Sequence, residues 1–280
     1  MDTIKQLIDK FNLISKKSLG QNFILDENIT DKIVKLSDIK NQFVLEIGPG
    51  PGCLTRSLIK GGAKKIIAIE KDLKCIEIIN YQKKIFSNKI RLIEGDFLND
   101  YIFKKVLKEI GKCKKKIIIV SNLPYKTSIP ILVKILKNRA FFKKLILMFQ
   151  KEVADRIIAK TKTKTFGRLS VLCNWRLEVK KHFDVSKNCF LPKPNVDSTV
   201  LSFKPKKKYG YNIKNPKNLE IVTRILFSNR RKMINKNFKK LFKSKNSIAK
   251  DLDLNLRLRP EELSCDMFYK IAMIYENLLN

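Results

Sequence analysis

The chain has 280 residues, 60 of them Lys or Arg against 26 Asp or Glu, for a formal net charge of +34. That length suits one large domain, or a domain with an appendage, around a buried core, and so large a basic excess implies a polyanionic partner, nucleic acid first. Six scattered cysteines with no C-x-x-C pair suggest neither a zinc knuckle nor a disulfide framework, and the single histidine, His182, leaves no partner for a Ser–His triad or a histidine-rich metal site.

Met1-Asp2-Thr3-Ile4-Lys5 lacks the apolar run of a signal peptide, and no segment has the apolar length to span a bilayer. A cytoplasmic protein without membrane contact and without metal is expected. Residues 1 to about 40 read as a helical arm with Lys16–Phe23 as an embedded loop. From 42 to about 150, β-branched runs alternate with amphipathic helices, the signature of a parallel sheet. The predicted strands are 42–47, 65–70, 90–94, 116–121 and 144–149. Asn174–Val179 and Val196–Phe203 read as two further strands, a candidate antiparallel edge pair. Thr161–Thr165 reads as a basic loop and Lys204–Lys208 as a linker. Beyond it the pattern is helical: Leu219–Phe227, Met233–Phe242, and Glu261–Leu279 opened by Pro260.

The most informative run is Val44-Leu45-Glu46-Ile47-Gly48-Pro49-Gly50-Pro51-Gly52, a strand entering a glycine hinge ahead of a helix at Cys53-Leu54-Thr55. Gly48 and Gly50 let the backbone turn sharply beside a ligand. A pyrophosphate on the helix N-terminus goes with G-x-G-x-x-G; here the spacing is G-x-G-x-G, and Glu46 would repel such an anion. The same carboxylate suits a ligand carrying ammonium and sulfonium charge, which points to S-adenosylmethionine. Glu70 closes the next strand at the distance from which an acid reaches ribose hydroxyls, and Asp96 ends a third strand, placed to accept from an adenine amino group.

Ile117-Ile118-Ile119-Val120 is followed by Ser121-Asn122-Leu123-Pro124-Tyr125, at the sheet edge where open α/β folds bind ligands. An adenine N6 amine is a poor nucleophile because its lone pair is delocalised into the ring. Accepting both its hydrogens, by the Asn122 side-chain oxygen and the Leu123 carbonyl, favours a pyramidal nitrogen. Pro124 fixes the turn without an N–H of its own, and Tyr125 offers a face for the base. A plain strand-ending turn explains the motif taken alone.

Asn122-Leu123-Pro124-Tyr125, with Gly20-Gln21-Asn22-Phe23 and Glu46-Ile47-Gly48-Pro49-Gly50, resembles the ribosomal RNA adenine N6,N6-dimethyltransferase family. So do Gln150–Arg156, Phe166-Gly167-Arg168-Leu169-Ser170 and Phe190–Ser198, and the likeness runs in order over nearly the whole chain. It implies an α/β fold, a doubly wound, Rossmann-like class I methyltransferase sheet over about 1–204 with a small all-helical C-terminal domain at 209–280. It places cofactor contacts on Asn22, Ile24 (where leucine is usual), Gly48, Glu70, Asp96 and Asn122, and an aromatic pair around the target adenine on Tyr125 and Phe190. Phe227–Lys232 and Arg259–Ser264 are similar to the branch that dimethylates two adjacent adenines near the 3′ end of small-subunit (16S) rRNA, with a pre-30S particle as partner and a monomeric enzyme expected. The branch that modifies large-subunit (23S) rRNA and gives macrolide resistance has a shorter tail. A non-catalytic assembly checkpoint factor is a further alternative, and Asn122 stands where a DNA adenine methyltransferase usually has an acid. A Lys/Asn/Ile-rich composition accounts for part of the charge, but not readily for Lys204-Pro205-Lys206-Lys207-Lys208 or Arg230-Arg231-Lys232.

Overall fold

The computed structural model describes residues 2–86, 89–207 and 210–279. In chain order the elements are α1 (Ile4–Lys10), β1 (Phe23–Ile24), α2 (Glu27–Lys35), β2 (Phe43–Ile47), α3 (Cys53–Lys60), β3 (Lys65–Glu70), α4 (Leu73–Ile85), β4 (Ile90–Glu94), α5 (Asp100–Lys112), β5 (Ile117–Asn122), α6 (Ser128–Lys137), β6 (Phe142–Gln150), α7 (Lys151–Ile158), α8 (Arg168–Arg176), β7 (Leu177–Val185), β8 (Phe190–Leu191), β9 (Ser198–Pro205), α9 (Pro216–Leu226), α10 (Asn235–Leu241), α11 (Lys245–Asp251) and α12 (Cys265–Asn277).

Among the described residues a seven-stranded sheet runs β4-β3-β2-β5-β6-β9-β7. The five strands from β4 to β6 are parallel and β9 is antiparallel to β6. The chain winds outward from β2 through β3 to β4, then returns to β5 on the other side of β2. The strand order therefore reverses between β2 and β5, and the crevice at their C-terminal ends is where such a sheet accepts a ligand. The sheet is the doubly wound α/β arrangement that the sequence predicts. Strands β2, β3 and β5 are near-continuous apolar runs because parallel strands are covered on both faces; Val44, Ile66, Ile118 and Ile146 sit together in the core. Helices are opened by side-chain caps, Asp26 for α2, Asp72 for α4 and Asn99 for α5.

Contacts divide the chain into two compact units, one of residues 1–154 and 180–204, the other of 155–179 and 205–280. The sequence-based boundaries put 155–179 in the first domain. The reason for the difference is packing: Phe166, Val171 and Trp175 share one core with Leu219, Leu226, Phe238 and Phe268 of the C-terminal helices. The same packing corrects the strand expected at Asn174–Val179. Asn174, Trp175 and Arg176 finish α8, whose Val171 and Trp175 lie one helical turn apart on the buried side, and extended structure starts only at Leu177. Within the second unit, α11 was not expected. The helix expected from Glu261 begins with a 3-10 turn at Pro260–Glu262, and α12 opens at Cys265 behind the Ser264 cap.

The N-terminal arm is not purely helical, because Phe23–Ile24 pairs antiparallel with Phe190–Leu191. The Thr161–Thr165 loop is tied down: Lys162 N–H donates to Glu261 O at 2.8 Å and Arg230 Nη2 to Thr163 O at 3.3 Å. Of the expected linker, Lys204 and Pro205 end β9, while Lys208 and Tyr209 lie outside the described residues.

Candidate active site

A cleft opens at the C-terminal ends of the central strands. Register brings the ends level: Ile47 lies beside Ile69 and Glu70 beside Glu94, so Glu46, Glu70, the Gly95-Asp96 turn and Asn122 meet at one edge. The charged residues among its described lining are Glu46, Glu70, Asp96 and Lys71. Three carboxyl groups against one lysine is the reverse of the balance in a chain of charge +34, and burial keeps one of the three, Glu46, protonated near neutral pH.

The glycine hinge has the backbone the sequence calls for. Gly48 and Gly50 hold φ of +69° and +57°, values at which an L side chain is strained. A Cβ on Gly50 would stand 2.8 Å from the Phe23 ring. Gly50 N–H donates to Glu70 Oε2 at 3.1 Å, and Glu70 Oε1 accepts from the N–H groups of Lys71 and Asp72 at 2.8 and 2.9 Å. Burial raises the Glu70 pKa against these three donors. Below the hinge, Gln82 Nε2 donates to Pro51 O at 2.8 Å while its Oε1 accepts from Arg56 Nε at 2.6 Å.

Glu46 is 1% exposed and accepts from the Thr55 hydroxyl at 2.7 Å. Burial, opposed by that hydroxyl and aided by Glu70, pushes its pKa up to about 8. The folded protein thus holds a proton on Glu46 that the unfolded chain, titrating near 4.5, has already lost. This contribution to stability is fully present below the unfolded value and fades as pH rises towards 8. Glu46→Gln, compared with the unsubstituted chain by urea unfolding between pH 5 and 8, is expected to show the flatter dependence, the difference being at most about 1.4 kcal/mol per pH unit. Parallel curves would mean that Glu46 ionises normally.

Asn122 ends β5. Its Nδ2 donates to the Asn22 carbonyl at 3.0 Å, which fixes the amide orientation, since only the NH2 end can donate. Asn122 Oδ1 is buried and, among the described residues, has no hydrogen-bond partner. A buried acceptor left open costs free energy unless a ligand completes it. Ser121 Oγ donates to Ile47 O, and Tyr125 N–H to Gly20 O at 3.4 Å, so the Asn122–Tyr125 turn is clamped between the β2 end and the Gly20–Asn22 loop. Pro124 packs on Gly48, whose missing Cβ would sit 3.4 Å from Pro124 Cγ, and Leu123 anchors the turn at 1% exposure.

Asn22, Ile24, Gly48, Gly50, Glu70, Asp96, Asn122, Leu123, Pro124 and Tyr125 all line this one cleft. Phe190 is not part of the described lining; it is 5% exposed, and its ring meets Tyr125 edge-on, centroids 6.4 Å apart and planes at 63°. A base held between two parallel rings needs about 7 Å, two stacking distances, so the expected aromatic sandwich is not preformed and one ring must turn to make it.

Sequence reasoning missed Thr55, Asp72, Gln82 and Ser198. Asp72 is 1% exposed; it caps α4 and pairs with Lys16 at 3.0 Å and Gln21 at 3.1 Å, tying down the loop that carries Asn22. Gln82 had a signal: it falls on the face of Cys75, Ile78 and Ile79, where a polar residue is out of place.

The family model described as "Ribosomal RNA adenine dimethylase" matches residues 12–276. A ribosomal RNA small subunit methyltransferase A of Pelagibacter ubique (strain HTCC1062) is 42% identical over 267 residues, 94% of this chain and 98% of that protein. The crystal structure of a dimethyladenosine transferase from Plasmodium falciparum superposes with a TM-score of 0.71 at 29% identity, covering 89% of this chain and 95% of that one. That of the 23S rRNA methyltransferase ErmE gives a TM-score of 0.62 at 17% identity over 91% and 100%, a likeness of fold alone.

Proposed function

The chain belongs to the ribosomal RNA adenine dimethylase family, and from that premise we propose that it transfers methyl groups from S-adenosylmethionine to N6 of two adjacent adenosines near the 3′ end of small-subunit rRNA, giving N6,N6-dimethyladenosine during small-subunit biogenesis. The reading rests above all on the Asn122 amide, locked by the Asn22 carbonyl so that a buried acceptor is left open in the cleft.

The residues present fit the cofactor. The hinge at Gly48–Gly50, the carboxyl groups of Glu46, Glu70 and Asp96, and the Asn22–Ile24 loop would hold it, and when bound it supplies a methyl group made electrophilic by sulfonium. Asn122 Oδ1 and the Leu123 carbonyl accept the two hydrogens of the target amine, which directs its lone pair outward. The adenine leaves its stack to reach the cleft and lies on the Tyr125 face, with Phe190 closing from the other side. No strong general base is required, because a methylated aminopurine sheds its extra proton readily to water. Most of the rate gain comes from orientation.

The enzyme acts on a precursor of the small ribosomal subunit in the cytoplasm, as a monomer. Among the described residues no helix is long and apolar enough to cross a membrane. Methyl transfer from labelled cofactor into small subunits lacking the modification, run beside large subunits and DNA, tests the assignment. Label confined to the small-subunit rRNA is expected; label in large subunits or DNA instead would overturn it.

The basic cluster at 230–232 divides in two. Arg230 pairs with Glu261 at 2.9 Å, whereas Arg231 and Lys232 are exposed. Replacing Arg231 and Lys232 by alanine is expected to lower the log–log salt slope of subunit binding by about 0.7–0.9 for each residue that contacts a phosphate, while Arg230→Ala acts on the stability of the helical unit. An unchanged slope for the double variant would remove this cluster from the RNA surface.

A further inference from the structure

Of the three strand-end carboxyl groups in the cleft, two are bonded from within, Glu46 by the Thr55 hydroxyl and Glu70 by three backbone N–H groups. Asp96 is held differently. Its Oδ1 accepts from Leu98 N–H at 2.8 Å, but its Oδ2 is taken by a side-chain cation, Lys71 Nζ at 3.0 Å. Both side chains line the cleft and both are partly exposed, 31% for Lys71 and 40% for Asp96. The Lys71 backbone is pinned by its N–H bond to Glu70 Oε1 at 2.8 Å, so its head can leave Asp96 for water without disturbing the strand end. An exchangeable cation therefore occupies the Asp96 oxygen that the Leu98 N–H does not hold.

We propose that Lys71 is a specificity-determining residue of the cofactor site, competing with the ligand's exocyclic amino group for Asp96 Oδ2. The inference rests on the cofactor reading given above. The same ammonium, released from Asp96, donates as well to a purine bearing an oxo group at that position. Lys71 thus works against an aminopurine and for an oxopurine, and it narrows the site's preference between them. Partly exposed ion pairs are weak, which makes the exchange reversible and sets the size of the effect.

The test is calorimetric titration of the full chain and of Lys71→Met with S-adenosylhomocysteine and with its 6-oxo counterpart, S-inosylhomocysteine. Lys71→Met is expected to bind S-adenosylhomocysteine about two- to fivefold more tightly, the range set by an exposed ion pair, with no gain for S-inosylhomocysteine. Lys71→Arg, which keeps the cation, is expected to retain the original ratio of affinities, and Asp96→Asn added to Lys71→Met to abolish the gain. Binding of both ligands with an unchanged or lower ratio in Lys71→Met would overturn the proposal. Failure of both ligands to bind any of these proteins, the unsubstituted chain included, would overturn the cofactor assignment and this inference with it.

Discussion

Asn122→Ala is expected to lower the single-turnover methylation rate by about 10²–10³, the scale for removing one preorganised group that acts on the transition state, while RNA affinity stays nearly intact because phosphate contacts dominate it. The size follows from geometry. The Asn122 amide donates once, to the Asn22 carbonyl at 3.0 Å, and its oxygen has no partner among the described residues. The acceptor is in place before the substrate arrives and needs no reorganisation. Asn122→Asp is expected to be as damaging, since a carboxylate oxygen would then face the Asn22 carbonyl in place of the NH2 group and push the side chain out of line. Rapid-quench measurement at saturating RNA separates the two effects. Lost RNA binding with an unchanged single-turnover rate would assign Asn122 to RNA contact and not to the amine.

Tyr125→Ala is expected to cost about 1–3 kcal/mol of base binding in the productive complex, the range for one stacked base, and Tyr125→Phe far less. The Tyr125 hydroxyl bonds to Ser198 Oγ at 2.5 Å, on a serine that is fully buried. Its loss leaves one buried hydroxyl short of a partner and lowers stability by about 1–3 kcal/mol, a cost borne by the fold and not by the reaction. Both variants lose that hydroxyl and should melt at a lower temperature, Tyr125→Ala at least as much as Tyr125→Phe, whereas only Tyr125→Ala should lose much turnover. Equal loss of activity in both variants would mean that the hydroxyl takes part in the reaction.

The parallel sheet was legible because each strand is a short apolar run closed by an acid, a glycine or an asparagine. Val44–Ile47, Ile66–Ile69 and Ile117–Val120 can be buried on both faces, and the residues that close each run must lie at the ligand edge. The cleft-lining residues were legible for the same reason, since Glu46, Glu70, Asp96 and Asn122 mark strand ends. The features that escaped notice depend on contacts far apart in sequence. Asn174–Val179 looks like a strand locally; it is the core shared with Phe238 and Phe268 that keeps Trp175 helical. Gln82 reads as a surface residue until the hinge carbonyl of Pro51 lies against it. Phe190, whose ring meets Tyr125, lies in the two-residue pairing of β1 with β8, and no local pattern announces a strand that short.

The three-to-one excess of carboxyl groups over lysine inside the cleft also bears on what the pocket turns away. Lys17 and Lys126 are exposed on the Gly20 loop and just after Tyr125, next to residues that line the cleft, and are expected to attract a sugar–phosphate chain, whereas Lys16 is paired with Asp72. The described lining offers that chain no counter-charge beyond Lys71, which is itself paired with Asp96, and burying a phosphate without one is costly. On this charge balance the anionic thread is expected to stay on the rim while an uncharged heterocycle passes inward. A free nucleotide, whose phosphate travels with its base, is expected to bind poorly on the same ground, so that charge at the entrance and not only shape selects what enters.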